Sequence, residues 1–135
     1  MSRQSVAVLV GTARAKQLFE PNVWKSLQQK VDLVAHTGER PASSDEAREL
    51  LAGATACITS WGAPLFTPEL LDCAPDLRLI VHAAGSIKPL VTDAVYERGI
   101  TITSGAPAIG IGVAEFSLGL IICSMKNVFE VSAST

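Results

Sequence analysis

The segment Val6-Ala7-Val8-Leu9-Val10-Gly11 decides the fold class of this chain. A continuous apolar run that stops at a glycine is typical of a strand buried on both faces of a parallel sheet. Helical patterns separate this run from four more apolar runs, which span residues 31–35, 56–59, 77–83 and 100–103. The repeated strand and helix units predict an α/β fold, a flavodoxin-like open parallel sheet with helices on both faces.

Start and stop signals place the helices between the strands. Ser43 or Ser44 caps a helix that carries two acids in its first turn and ends at Gly53. Further helices are predicted to begin near Pro21 and at Pro68, to run from Thr92 to Arg98, and to run from Val113 to Phe129. Residues 11–16 are predicted to be a loop, and residues 104–112 a Gly/Pro-rich connector.

Length and charge narrow the classes of function. The chain has 135 residues, which is about one domain, with 48% hydrophobic residues and a net charge of -2. The sequence has no basic patch for nucleic acid or for an anionic membrane, and no signal peptide is recognised. The three cysteines form no C-x-x-C pair, so we expect a cytoplasmic protein with buried free thiols and no metal site.

The C-terminal quarter is unusually poor in charge. After residue 100 only Glu115, Lys126 and Glu130 are charged. Residues 106–125 are apolar enough to suggest a membrane span, but Glu115 and the glycines among them favour a buried or interfacial helix. We therefore expect this quarter to be covered by protein, because large apolar patches normally mark interfaces.

Two loops after predicted strands are candidate binding sites. The small residues Ala84, Gly85 and Ser86 allow backbone N–H groups to approach a carboxylate or a phosphate, although a tight turn explains them equally. Ser60, Trp61 and Gly62 put an indole at the end of a neighbouring strand, as a ligand wall or as a residue packed on its own domain.

Other motifs are incomplete. Gly110-Ile111-Gly112 lacks the third glycine of a dinucleotide fingerprint, because Glu115 stands there. His36 and His82 are each predicted at a strand end, either hydrogen-bonded within the fold or acting as a ligand or general base. We identify no catalytic residue from the motifs alone.

Four ordered blocks carry a resemblance to a known family. They are residues 74–86 (Ala74-Pro75-Asp76-Leu77-Arg78-Leu79-Ile80-Val81-His82-Ala83-Ala84-Gly85-Ser86), Val91-Thr92, residues 97–103 (Glu97-Arg98-Gly99-Ile100-Thr101-Ile102-Thr103) and residues 113–120 (Val113-Ala114-Glu115-Phe116-Ser117-Leu118-Gly119-Leu120). Together they resemble the substrate domain of the D-isomer-specific 2-hydroxyacid dehydrogenases and the helix that enters the nucleotide domain of these enzymes.

The resemblance implies roles for both candidate loops. Ala84, Gly85 and Ser86 would bind the carboxylate of a small 2-keto or 2-hydroxy acid, and Ser60, Trp61 and Gly62 would line the same cleft. Ser104 would face the cofactor, although the family often has asparagine there, another asparagine where this chain has Ile109, and proline where it has Gly112.

The resemblance also implies a division of the chain and a missing part. Residues 1–104 would form the substrate-binding domain, and residues 105–135 the connector and interdomain helix that start a nucleotide domain. The glycine loop for NAD or NADP and the catalytic Arg, Glu and His would lie beyond this chain, so it would bind no cofactor alone.

Two functional hypotheses follow. The first is a truncated or fragment form of a D-2-hydroxyacid dehydrogenase, inactive alone. The second is a non-catalytic module that binds small carboxylates or forms a homo-oligomer through the helix from Val113 to Phe129.

Overall fold

The computed structural model describes residues 3–134. Its five strands form one parallel sheet in the order β2-β1-β3-β4-β5. The strands are β1 (Ser5–Val8), β2 (Asp32–Ala35), β3 (Ala56–Thr59), β4 (Leu79–His82) and β5 (Thr101–Ser104). This is the strand order of flavodoxin-like, doubly wound sheets, so the predicted fold class is confirmed.

Helices cover both faces of the sheet because successive strand residues point to opposite sides. Val6 and Val8 of β1 join a cluster with side chains of α1 (Thr12–Leu18) and α2 (Pro21–Lys30). Ala7 and Leu9 join the larger cluster on the other face. That cluster includes side chains of α3 (Ser44–Leu51), α4 (Pro68–Asp72) and α5 (Asp93–Glu97).

The start of α3 shows how local sequence fixes these elements. Ser43 is the N-cap, because its Oγ accepts a hydrogen bond from the Glu46 N–H at 3.3 Å. The Glu46 carboxylate accepts one from the Ser43 N–H at 2.8 Å, and this bond is the main cause of the lowered pKa of Glu46. The reciprocal pair is a capping box, and Gly53 with φ of +75° follows the helix as predicted.

Two predicted loop segments are helical. Residues 11–16 were predicted as a loop, but α1 begins at Thr12 without a side-chain cap and without acids in its first turn. The predicted connector of residues 104–112 is also wrong beyond Gly105, because α6 spans Ala106–Met125. Pro107 lies in its first turn, where the fixed φ of proline suits a helix and the missing N–H is not needed.

The predicted helix from Val113 to Phe129 is broken near its end. Helix α6 stops at Met125, Asn127 adopts a left-handed conformation with φ of 52°, and α7 spans Val128–Ala133. No residue of α6 or α7 is buried. The length of α6 and its mean hydropathy of 1.9 would let it cross a membrane, and its apolar window is exposed in the part of the chain that the structure describes.

Candidate functional site

The carboxyl ends of β1, β3, β4 and β5 lie side by side, and we call this border of the sheet the carboxyl edge. The segment Ser60-Trp61-Gly62, here called the tryptophan loop, follows β3 at the centre of this edge. Trp61 is 51% exposed, whereas Ser60 is buried and its Oγ donates a hydrogen bond to the Ala83 carbonyl at 3.3 Å. The side chain of Ser60 therefore connects the loops after β3 and β4, whereas the indole of Trp61 faces solvent.

The backbone of Gly62 explains why the tryptophan loop needs glycine. Its φ is +81°, a conformation that L side chains rarely adopt, and an added Cβ would lie 2.9 Å from Pro41 Cγ. The Ala63 N–H donates a hydrogen bond to the Ser60 carbonyl at 3.2 Å, which closes the turn. The indole is thus presented by a constrained turn between β3 and α4.

The segment from Ala84 to Ile87, here called the amide loop, follows β4. Within the described residues, the N–H groups of Gly85, Ser86 and Ile87 donate no hydrogen bond. An added Cβ at Gly85 would meet no atom within 4 Å, so packing does not require glycine there. Successive backbone N–H groups free of intramolecular partners can donate to an anion.

A row of polar side chains crosses the carboxyl edge behind these loops. Thr59, His82 and Ser104 occupy matched positions on β3, β4 and β5. His82 is 2% exposed, and its Nδ1 shares a hydrogen bond of 2.9 Å with Thr59 Oγ1. Burial lowers the pKa of His82, because desolvation disfavours the charged imidazolium. His82 therefore matches the interpretation of a hydrogen-bonded histidine at a strand end.

The other predicted strand-end histidine lies beside the edge. His36 directly follows β2 and lines a surface groove of about 550 Å³ together with Glu39, Arg40 and Glu46. Pro41, which contacts Gly62, lines the same groove. The groove thus flanks the tryptophan loop on the side of β2.

A cation lies over the indole of the tryptophan loop. The guanidinium carbon of Arg14, in the first turn of α1, is 5.3 Å from the centre of the Trp61 ring. This distance is within the range of a cation–π interaction. Arg14 also donates a hydrogen bond from Nη1 to Gln17 Oε1 at 3.0 Å.

The residues considered for a cofactor do not form a nucleotide-binding loop. Gly110 and Gly112 lie inside α6, whereas the glycines of a dinucleotide site occupy the turn between a strand and a helix. Ser104 is half-buried, and its Oγ accepts a hydrogen bond from the Ala106 N–H at 3.4 Å. The Ser104 hydroxyl thus accepts a hydrogen bond from the first residue of α6.

The N-cap residue of α6, Gly105, is hydrogen-bonded to the amide loop. The Gly105 N–H donates to the Ala84 carbonyl at 2.8 Å and to the His82 carbonyl at 3.0 Å. An added Cβ at Gly105 would lie 3.3 Å from the Ala84 oxygen, so the two backbones approach closely. The junction of β5 and α6 is therefore part of the carboxyl edge.

Within the described residues, the thiols and acids form no metal-binding cluster beside the candidate site. Cys57 is buried, and desolvation raises the pKa of its thiol to about 12. Cys73 is exposed and Cys123 is half-buried, so the expectation of three buried thiols is wrong. No group of His, Cys, Asp and Glu side chains between residues 3 and 134 could hold a metal ion.

Comparison with known proteins agrees with the resemblance in the sequence, although no family model matches the chain. A D-3-phosphoglycerate dehydrogenase of Methanocaldococcus jannaschii is 24% identical over 110 residues, which are 82% of this chain and 20% of that protein. This chain thus spans about a fifth of the length of the relative.

Solved structures share the fold. A protein of Pyrococcus horikoshii OT3 superposes with a TM-score of 0.73 and 23% identity, over 96% of this chain and 36% of that one. The holo D-mandelate dehydrogenase of Rhodotorula graminis superposes with a TM-score of 0.68 and 19% identity. The match covers 91% of this chain and 37% of that one. The NAD+-bound 3-phosphoglycerate dehydrogenase of Entamoeba histolytica superposes with a TM-score of 0.63 and 16% identity. The match covers 91% of this chain and 39% of that one. The chain thus shares its fold with a part of each of these structures, which agrees with the resemblance found in the sequence.

The structure brings together all the residues predicted for the site and adds three. Ser60, Trp61, Gly62, Ala84, Gly85, Ser86 and Ser104 lie at or next to the carboxyl ends of three adjacent strands. Sequence reasoning missed Thr59, Ile87 and Arg14. Thr59 lies one residue before the tryptophan loop and Ile87 one residue after Ser86, so extending both segments would have found them.

Proposed function

We propose that this chain is the substrate-binding part of a D-2-hydroxyacid dehydrogenase and binds a small 2-keto or 2-hydroxy carboxylate at the carboxyl edge. The free N–H groups of Gly85, Ser86 and Ile87 are the observation that carries the proposal. They would bind the carboxylate, while Trp61 forms the wall of the cleft and Ala84 and Ser60 fix the two loops. The division into a domain of residues 1–104 and a following connector and helix is part of this proposal.

The geometry supports this function in a second way. Ligands of open parallel sheets bind outside the carboxyl ends of the strands, and both loops lie there. Since no atom of the described residues occupies the space next to the Gly85 Cα, a ligand oxygen can reach the backbone closely. The shared fold of the solved D-mandelate and 3-phosphoglycerate dehydrogenases adds to this reasoning.

Calorimetric titration of the whole chain with pyruvate and 2-oxobutanoate tests the proposal. We expect binding in the wild type and at least about a tenfold loss in Gly85→Ala, because the methyl group would hold the carboxylate away from a charge-assisted hydrogen bond. The added Cβ meets nothing within 4 Å, so the variant should fold normally.

Gly110→Ala is the matched control. It adds the same methyl group to a glycine that also has open space around it, on α6. Binding should be unchanged in this variant. A wild-type chain that gives no binding heat with either acid would refute the proposed function.

We also propose that the chain alone does not oxidise NADH. Hydride transfer needs the nicotinamide held against the substrate carbon and a proton donor beside the carbonyl. NAD or NADP would be held by residues outside the described segment, because Gly110 and Gly112 are helical here and Ser104 hydrogen-bonds to Ala106. Steady NADH oxidation by the pure chain with a panel of 2-keto acids would contradict this.

The exposed helices favour a second candidate function, a non-catalytic binding or oligomerising module. In α6 and α7, Phe116 is 68% exposed and Met125 is 78% exposed. We propose that the surface from Val113 to Phe129 is covered by protein, in a homo-oligomer or against a following domain. Light scattering of the chain at high micromolar concentration should show a dimer in the first case, and a strict monomer would argue against the homo-oligomer.

The cell compartment and partners follow from the same proposal. We place the chain in the cytoplasm, with a small carboxylate as its ligand and without nucleic acid or membrane partners. The chain carries a net charge of -2, which does not favour phosphate backbones or anionic lipids. Absence of binding to vesicles of anionic lipid would support this, whereas binding through α6 would contradict it.

A further inference from the structure

Arg14 occupies a position that the stability of its own helix does not explain. It lies in the first turn of α1, where the positive end of the helix dipole disfavours a cation and where no acid is present. Within residues 3–134 it forms no ion pair, since the two salt bridges there join Arg48 to Asp45 and Arg98 to Asp72. A residue that breaks a local rule without an evident structural gain is a candidate for function.

The contacts of Arg14 hold its charge at the proposed binding site. The guanidinium lies over the Trp61 ring and also donates a hydrogen bond to Gln17 Oε1. A guanidinium has five N–H donors, so its remaining N–H groups can donate hydrogen bonds to a carboxylate or phosphate. The guanidinium of Arg14 therefore contacts the tryptophan loop and is not paired with a carboxylate within residues 3–134.

The segments after the strands also favour anions as a group. Those that follow the carboxyl ends of the five strands are residues 11–16, 36–41, 60–64, 83–89 and 104–112. They contain four cations (Arg14, Lys16, Arg40 and Lys88) and one anion (Glu39), a net charge of +3 in a chain of net charge -2. A local excess of cations attracts anionic ligands.

We propose that Arg14, positioned over Trp61, selects substrates that carry a second negative group in addition to the 2-keto or 2-hydroxy carboxylate. This inference rests on the proposed function. Neighbouring strands are about 5 Å apart. A ligand whose first carboxylate is held by the amide loop would therefore meet the guanidinium roughly 5 to 10 Å away, across the tryptophan loop. The second group would be a carboxylate or a phosphate.

Fluorescence titration tests this selection. Trp24→Phe leaves Trp61 as the only tryptophan, because the chain has two. The probes are 2-oxobutanoate with one negative group, 2-oxoglutarate with two carboxylates and 3-phosphohydroxypyruvate with a carboxylate and a phosphate. We expect at least one dianion to bind about ten times more tightly than 2-oxobutanoate, as for one hydrogen bond to a charged group. The tighter of the two dianions identifies the second group.

Arg14→Gln should abolish this preference while leaving 2-oxobutanoate binding nearly unchanged. Arg14→Lys should keep part of the preference, because it retains the charge without the planar guanidinium. The matched control is Arg78→Gln, which removes the same charge from an exposed residue just before β4, at the opposite edge of the sheet.

The outcomes separate the two proposals. If 2-oxobutanoate binds and neither dianion binds more tightly, or if Arg14→Gln keeps the preference, the role of Arg14 is refuted and the proposed function stands. An equal loss in Arg78→Gln also refutes that role. If none of the three acids binds, the proposed function fails, and the role of Arg14 fails with it.

Discussion

Apolar side chains have opposite environments in the two regions of this molecule. In the sheet region, residues 5–105, Phe66 and Leu51 are fully buried between the sheet and its helices. In the C-terminal helices α6 and α7, Phe116 and Met125 are 68% and 78% exposed. The residue types are alike, so burial depends on a second layer of structure that packs against them, which only the sheet region has.

This contrast separates a core from an interface. A helix in the sheet region presents one apolar side to the sheet and keeps its charges on the other. Helix α6 is apolar on every side and carries Glu115 as its only charge. Such a helix is typical of an element surrounded by other protein or by the lipid of a membrane. The contrast can be measured by making equal changes in both regions.

The largest difference is expected for phenylalanine. Phe66→Ala should lower the free energy of unfolding by about 3–5 kcal/mol, because it leaves a cavity in a close-packed core. Phe116→Ala should change it by no more than about 0.5 kcal/mol, as for an exposed residue. Urea denaturation followed by circular dichroism measures both values at low protein concentration. Equal losses in the two variants would mean that α6 is part of the cooperative core.

A smaller difference is expected for glycine. Gly53 has a φ of +75°, so Gly53→Ala should lower the free energy of unfolding by about 1 kcal/mol. Gly119→Ala should strengthen α6 by roughly 0.5–1 kcal/mol without moving the unfolding midpoint of the sheet region. The helical signal at 222 nm and the urea midpoint distinguish the two effects. A raised midpoint in Gly119→Ala would show that α6 and the sheet unfold together.

The smallest effect at neutral pH is expected for His82. Its pKa is lowered in the folded state, so below about pH 6.5 the unfolded chain binds a proton that the buried ring resists. The free energy of unfolding should therefore fall as pH falls from about 6.5 toward the pKa of the folded state, and should not change between pH 7 and 8. This loss arises in the sheet region alone.

His82→Asn should remove this part of the pH dependence. It keeps a polar group near Thr59 but has no ring to protonate. Urea denaturation between pH 5 and 8 compares His82→Asn with the wild type, and an unchanged slope in the variant would assign the acid sensitivity to other groups.

Local signals made much of the sheet region predictable. All five apolar runs are strands, Ser43 and Thr92 each precede the helix they were predicted to start, and α4 begins at Pro68 as predicted. Helix α1 was missed because Gly11 and Thr12 give neither a side-chain cap nor acids. The first turns of α6 were missed because its proline and glycines were interpreted as breakers, although proline is tolerated in a first turn.

The pairs that build the site could not be predicted in the same way. Thr59 and His82 are 23 positions apart in the sequence, and no local signal couples them. Arg14 meets Trp61 only because β1 and β3 are neighbours in the sheet. The positions of the two loops followed from the strand ends, whereas the side chains that meet there depend on strand order and register.

The hydrogen bond at Gly105 connects the start of α6 to the amide loop. Helix α6 has 20 residues and is therefore about 30 Å long, and the Gly105 N–H just before it is hydrogen-bonded to the Ala84 carbonyl. A partner bound to the far end of α6 would thus act on the backbone beside the amide loop. By thermodynamic reciprocity, if that partner changed the affinity of the amide loop for its ligand by some factor, the ligand would change the affinity for the partner by the same factor.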